Sequence, residues 1–169
     1  MICLSVRWYL RYNLSYRDLE ELLAERGIKV DHATLHHWVQ HFTPLLINAA
    51  RSRRRPVGRR WYVDETYVNV KGKWCYLYRA IDRDGNLIDS MLSEKRDMEA
   101  AKRFFKQAVA VVGHAPERVT TDGHDSYPRA IRETLGSEVT HRCNRYLNNR
   151  LEQDHRGIKQ RYYPMRGFG

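Results

Sequence analysis

Three carboxylates stand at informative places along this chain of 169 residues: Asp64, Asp122 and Glu152. Asp64 lies inside WYVDETYVNV, a run rich in Val, Tyr and Thr that reads as a β-strand. A carboxylate there must be solvated, hydrogen-bonded or metal-bound, because burying it unpaired costs energy or raises its pKa. Taken alone, Asp64 reads first as a rim aspartate held by backbone donors, and the company it keeps further along the chain changes that reading. Asp122 closes the short β-rich run ERVTTD ahead of Gly123, and Glu152 falls on the expected last helix. If the strands bearing the two aspartates are neighbours and the helix packs across them, all three converge on one pair of hard divalent cations. Such ions need oxygen ligands and suit two-metal phosphoryl chemistry. Lys159, seven residues after Glu152, lies two turns on along the same helix face, where it can hold a phosphate, with His155 and Arg156 flanking it. Asp125, the other carboxylate near Asp122, precedes Ser126-Tyr127-Pro128 and is expected to cap the following helix.

The elements that must position these groups follow from the local pattern. Residues 61–70 and 74–81 form two antiparallel strands around Lys71-Gly72-Lys73, and 86–93 forms a third, entered by the Asp84-Gly85 turn. Asp97 opens a helix to about Val112, with Ala100, Ala101, Phe104, Phe105 and Ala108 as its apolar face and Lys102, Arg103 and Lys106 on its wet side. A fourth strand, 117–122, precedes a helix over 126–135, a short strand over 138–141 and a final helix over 147–163, stopped by Pro164. The expected class is α/β, a mixed sheet of a three-strand antiparallel meander plus short parallel strands, flanked by helices.

The first third of the chain has a different character. Met1–Tyr12 reads as a short helix, its apolar run broken by Arg7 and Arg11 and followed by no small-residue cleavage site. Ser15 with Asp18 makes a near capping box for a helix over 15–26 that Gly27 ends. Asp31 caps a second helix whose Leu35, Trp38, Val39 and Phe42 face inward, leaving His32, Ala33, His36, His37 and Gln40 outward. That outward face is what a helix-turn-helix recognition helix offers a major groove; a plain three-helix unit with a solvated face is the other reading. Residues 51–60, RSRRRPVGRR, carry six arginines with a Pro and a Gly, and read as a linker able to neutralise phosphates, Arg53, Arg54 and Arg55 above all.

The net charge of +10 favours a polyanionic partner. Residues 1–60 hold eleven basic and five acidic side chains, against nineteen and fifteen in the rest, so the excess is concentrated early. Cys3, Cys75 and Cys143 form no CxxC pair, which argues against a disulfide framework and fits a reducing cytoplasm; His141 and Cys143 have no second ligand pair at zinc spacing.

The runs VRWYLRY, LSYRDLEELLAERG, WYVDETYVNVKGKWCYLYRAID, AAKRFF, VTTDGHDSYPRAI and RYLNNRLEQDHRGIKQRYYPMRGF resemble the bacterial transposases of insertion sequence family six, within the DDE superfamily. The resemblance runs along nearly the whole chain. It implies an RNase H-like core over 61–169 behind a helix-turn-helix domain over 1–50 and the linker 51–60. It also implies that Asp64, Asp122 and Glu152 are the catalytic, metal-binding triad, holding two Mg2+ or Mn2+ ions, with Lys159 as the basic residue after the glutamate. The implied activity is binding of terminal inverted repeats and metal-dependent cleavage and transfer of double-stranded DNA, in the bacterial cytoplasm at the nucleoid, by a homodimer or larger assembly on DNA. The expected DNA contacts are His32, His36, His37, Gln40, Arg53, Arg54, Arg55, Arg156 and Lys159. Two departures stand out: only 29 residues separate Asp122 from Glu152, and the chain stops at Gly169 where relatives continue, so a C-terminal truncation is expected. Gly157 within the last helix costs about 1 kcal/mol relative to Ala. The competing expectations are a catalytically impaired DNA-binding protein that occupies element ends and represses transposition, and an RNase H-like nuclease acting on hybrids.

Overall fold

A computed structural model of the chain describes residues 1–12, 14–51, 55–144 and 149–163, with the side chains of 51, 149, 150, 152, 154, 161 and 162 outside that description. Arg53 and Arg54 therefore lie outside the described residues. The chain forms two compact units, Met1–Arg55 and Pro56–Gly169.

The first unit is three helices, α1 (Ile2–Arg11), α2 (Tyr16–Ala24) and α3 (His32–Arg51). Both halves of the capping box form: Asp18 N donates to Ser15 Oγ at 3.1 Å and Ser15 N to Asp18 Oδ2 at 2.6 Å. Gly27 then takes a left-handed φ of 75°, which lets Ile28 N reach Leu23 O at 2.9 Å and close α2. Asp31 accepts from Thr34 N at 2.6 Å and so caps α3. Leu19, Leu23 and Leu35 are fully or almost fully buried, with Trp8, Tyr16 and Trp38 packed around them. His32, Ala33, His36, His37 and Gln40 are all exposed, yet His32 is tied back to α2 through Glu20 Oε2, which accepts from its backbone N and lies 3.0 Å from its Nδ1. The helix α3 continues past Pro44 to Arg51, so the first arginine of the expected linker is helical.

The second unit is a five-stranded sheet in the order β3-β2-β1-β4-β5, from β1 (Arg60–Val70), β2 (Lys73–Asp82), β3 (Leu87–Ser93), β4 (Arg118–Thr121) and β5 (Thr140–Cys143). The meander β1–β2–β3 is antiparallel; β4 pairs parallel to β1 and β5 parallel to β4. Val70 pairs with Lys73, and Lys71 and Gly72 both have positive φ, which makes a two-residue hairpin of the type that follows the twist of its strands. The helices α4 (Met98–Val112), α5 (Ser126–Leu135) and α6 (Asn149–Tyr162) complete it. Trp61, Val63, Tyr78, Ala80, Ile88 and Val119 form one core with Ala100, Ala101, Phe104, Phe105 and Ala108 of α4 and Tyr127, Ala130 and Ile131 of α5. Odd residues of β1 therefore face that helical layer, and even ones face the opposite side, where α6 packs on β1.

Several local expectations shift. The last strand lies at Thr140–Cys143, two residues later than its β propensity suggests, because its register is set by β4, Arg118↔Thr140 to Thr121↔Cys143. Asn86 is not a strand residue: its backbone N and Nδ2 donate to the buried carboxylate of Asp82, which also accepts from Gly58 N and Asp84 N. Burial opposes the charge on Asp82, but these donors outweigh it and hold its pKa below the ordinary carboxylate value. On the solvent side of α4, the Lys102 ammonium lies between Glu99 at 2.9 Å and Glu133 at 2.5 Å, joining α4 to α5. Gly157 leaves α6 unbroken.

Candidate metal centre

The central strand β1 delivers Asp64, and the parallel strand beside it delivers Asp122. The β1–β4 register ends at Tyr62↔Thr120, so the carboxylates at 64 and 122 sit just past the end of the ladder. Oxygen atoms of Asp64, Glu65 and Asp122 all lie within 4.8 Å of one another, the one such acidic group among the described residues. Oxygen donors in this number at this spacing match a hard divalent cation in charge and chemistry.

Asp64 lies on the α6 side of the sheet, its side chain 17% exposed. Its Oδ1 accepts from Glu65 N at 2.9 Å and its Oδ2 is 4.0 Å from His155 Nδ1. Burial, then repulsion from Glu65 and Asp122, raises its pKa to about 7, against smaller pulls from the Glu65 amide and Arg96. Burial is the larger cause, and the two neighbouring carboxylates add to it.

Asp122 follows β4 directly. Its Oδ1 accepts from His124 N at 3.1 Å, and its Oδ2 faces Arg96 Nη2 at 3.5 Å. Gly123 turns the chain out with φ 98°, and a Cβ built there would meet Cys143 Sγ at 2.3 Å. The neighbouring strand β5 and the left-handed backbone thus both favour glycine here. A methyl group at 123 must displace either that sulfur or the Asp122 backbone.

Asp125 does not cap α5, contrary to expectation. Its backbone is already helical, φ −61° and ψ −20°, so its side chain makes no capping bond. His124 takes that role: its carbonyl accepts from Tyr127 N at 3.1 Å and its Nδ1 from Ser126 N at 3.3 Å.

Glu152 lies on α6, three residues before His155, but its side chain falls outside the described residues. The helix is seated through Leu151 and His155, both buried. Arg156 is exposed and Lys159 half-buried on the same helix. His155 thus belongs to the interior beside Asp64; its spacing from Glu152 gave its place on the helix without revealing that contact.

Glu65, Arg96 and Tyr127 are the residues that sequence reasoning missed. Glu65 is odd-numbered and so points into the α4/α5 layer with a side chain only 2% exposed. One oxygen pairs with Arg96 Nε, and the other accepts from the hydroxyl of buried Tyr127. The signal was available: after buried Trp61 and Val63, strand alternation puts residue 65, not 64, on the apolar face.

Residues 58–169 match the DDE domain of the IS240 transposase family. The chain is 41% identical over 165 residues to the transposase for insertion sequence-like element IS431mec of Staphylococcus aureus strain Mu50, covering 95% of this chain and 73% of that protein. Among solved structures it is similar to the simian T-cell lymphotropic virus intasome in complex with the PP2A regulatory subunit B56 gamma, with TM-score 0.53 and 18% identity. That match covers 64% of this chain and 41% of the intasome chain. The HTLV-2 integrase catalytic core domain in complex with magnesium, trimeric form, gives TM-score 0.53 and 19% identity over 63% of this chain and 71% of that one. The structural likenesses establish the fold, an RNase H-like core of the retroviral integrase kind.

Proposed function

From a chain that belongs to the IS240-type DDE transposases, we propose an enzyme that binds the inverted repeats of its insertion sequence and cleaves and transfers DNA strands with divalent cations. The observation that carries this reading is the meeting of Asp64 and Asp122 from two parallel-paired strands beneath the helix that bears Glu152. Asp64, Asp122 and Glu152 would hold two Mg2+ or Mn2+ ions, and ions so held activate the attacking water or 3'-hydroxyl and stabilise the leaving oxygen. Burial and the neighbouring carboxylates oppose ionisation of Asp64, and a divalent cation held there would favour its charged form. The Asp122 carboxylate is oriented by the His124 amide and Arg96, and His155 packs beside Asp64 to seat the helix. Arg156, exposed, and Lys159, half-buried, both further along α6, are assigned to the phosphate backbone.

DNA ends are assigned to the first unit, through the exposed face of His32, His36, His37 and Gln40, and to Arg53, Arg54 and Arg55. His32 is the least free of these, since Glu20 already engages it. The expected substrate is double-stranded DNA in the bacterial cytoplasm, with a dimer or larger assembly forming on it. Among the described residues no helix is long and apolar enough to cross a membrane.

The test is incubation of the protein with duplex DNA bearing the inverted repeats that flank its coding sequence, with Mg2+, Mn2+ or EDTA. End-specific nicking in either metal and none in EDTA supports the reading; binding without nicking in any metal favours an end-occupying repressor. Replacing Arg53, Arg54 and Arg55 with Gln is expected to weaken binding to all duplexes alike. It should also reduce the slope of log affinity against log salt by about three, close to one counterion per arginine. Fluorescence anisotropy across a salt series measures it, and an unchanged slope removes these arginines from the interface.

A further inference from the structure

We propose that Arg96 is a positioning residue for Asp122, and that Glu65 is its buried counter-ion and not a metal ligand. The inference rests on the reading of Asp64 and Asp122 as metal-holding residues, and it divides the three-carboxylate cluster into two with one job and one with another.

Distance alone admits Glu65 to the cation site. Its surroundings remove it. Arg96 Nε engages one oxygen and the Tyr127 hydroxyl the other, in a side chain 2% exposed, whereas Asp64 is 17% and Asp122 33% exposed. Turning Glu65 toward a cation would strand a guanidinium and a fully buried phenol, each with a desolvation cost. Tyr127 is itself locked, in contact with Phe105 and set in the first turn of α5.

The chain is anchored on either side of Arg96. The residue lies between Ser93, whose hydroxyl accepts from Lys95 N at 3.2 Å, and Asp97, which caps α4 by accepting from Ala100 N at 2.8 Å. From that anchor its planar fork reaches two carboxylates, Nε to Glu65 and Nη2 to Asp122 Oδ2. With His124 N on Oδ1, both oxygens of Asp122 are oriented while each keeps a lone pair for a cation. A lysine carries a comparable charge but has no fork to span both partners.

The test compares wild type with Arg96→Lys, Arg96→Gln and the double variant Glu65→Gln/Arg96→Gln. Three quantities are read: the thermal midpoint, the half-saturating Mn2+ concentration from the shift of that midpoint, and Mn2+-supported nicking of the inverted-repeat duplex. Arg96→Gln should lower the midpoint, because Glu65 is left unpaired; the double variant removes the pair as a unit and should recover it. Half-saturating Mn2+ should nonetheless stay about tenfold or more above wild type in the double variant and in Arg96→Lys, with nicking reduced to match. Wild-type Mn2+ dependence in either of those two variants overturns the proposal, since Arg96 would then serve the fold alone. No midpoint shift with Mn2+ in wild type overturns the parent reading as well.

Discussion

Asp64→Asn and Asp122→Asn are each expected to reduce metal-dependent strand cleavage by about a thousandfold or more while leaving the affinity for DNA ends unchanged. Metal coordination contributes several kcal/mol to the transition state in sites of this kind, and each 1.4 kcal/mol or so is a factor of ten in rate. Neither substitution removes a packing contact: Asp64 and Asp122 are partly exposed, and their partners are amides or charged groups that Asn can still approach. Asp125→Asn is the internal control, because that exposed carboxylate caps nothing and joins no cluster. A gel assay of nicked and joined products, beside an anisotropy assay of binding, reads all three. An inactive Asp125 variant with an active Asp122 variant would place the metal ligand three residues later.

The second large effect concerns pH. The folded pKa of Asp64 is raised to about 7 from an ordinary 3.8, so the fold prefers the protonated form. The stability this group allows is fully present below its unfolded pKa and is lost as pH rises through the folded value. By linkage the loss is on the order of 4 kcal/mol, at about 1.4 kcal/mol per pH unit, across the window from about pH 4 to about pH 7. In EDTA, Asp64→Asn should therefore match wild type near pH 4 and exceed its stability by a few kcal/mol near pH 8. Mg2+ at the higher pH should narrow the gap by stabilising wild type selectively. Urea unfolding at the two pH values measures it, and a difference independent of pH would contradict the assigned origin of the shift.

The parts of this structure that were legible in the sequence are those dictated locally. The capping box at Ser15, the Lys71-Gly72 hairpin, the Asp97 cap and the apolar repeat of α4 are decided by neighbours within a few residues, and they form as expected. Asp125 does not cap for a reason composition does not carry: His124 already supplies a carbonyl and a ring nitrogen to the first turn of α5, and the Asp125 backbone just ahead of it is already helical in φ and ψ. The last strand moved because β4 fixes its register. In the site, type and setting singled out Asp64 and Asp122 but not Glu65 and Arg96, since that pair joins β1 to the loop before α4, 31 residues apart. Strand alternation would have flagged Glu65 as the misplaced charge. It would not have named its partner.

The central claim is that Asp64, Asp122 and Glu152 together hold the divalent ions. A crystal of the protein grown with Mn2+ and measured for anomalous scattering tests it most directly. The expected result is density between the Asp64 and Asp122 carboxylates, with a Glu152 oxygen within about 2.5 Å of an ion and Glu65 still on Arg96 and Tyr127. Density bound by Glu65 with Glu152 turned to solvent, or none near Asp64 at saturating Mn2+, would contradict it.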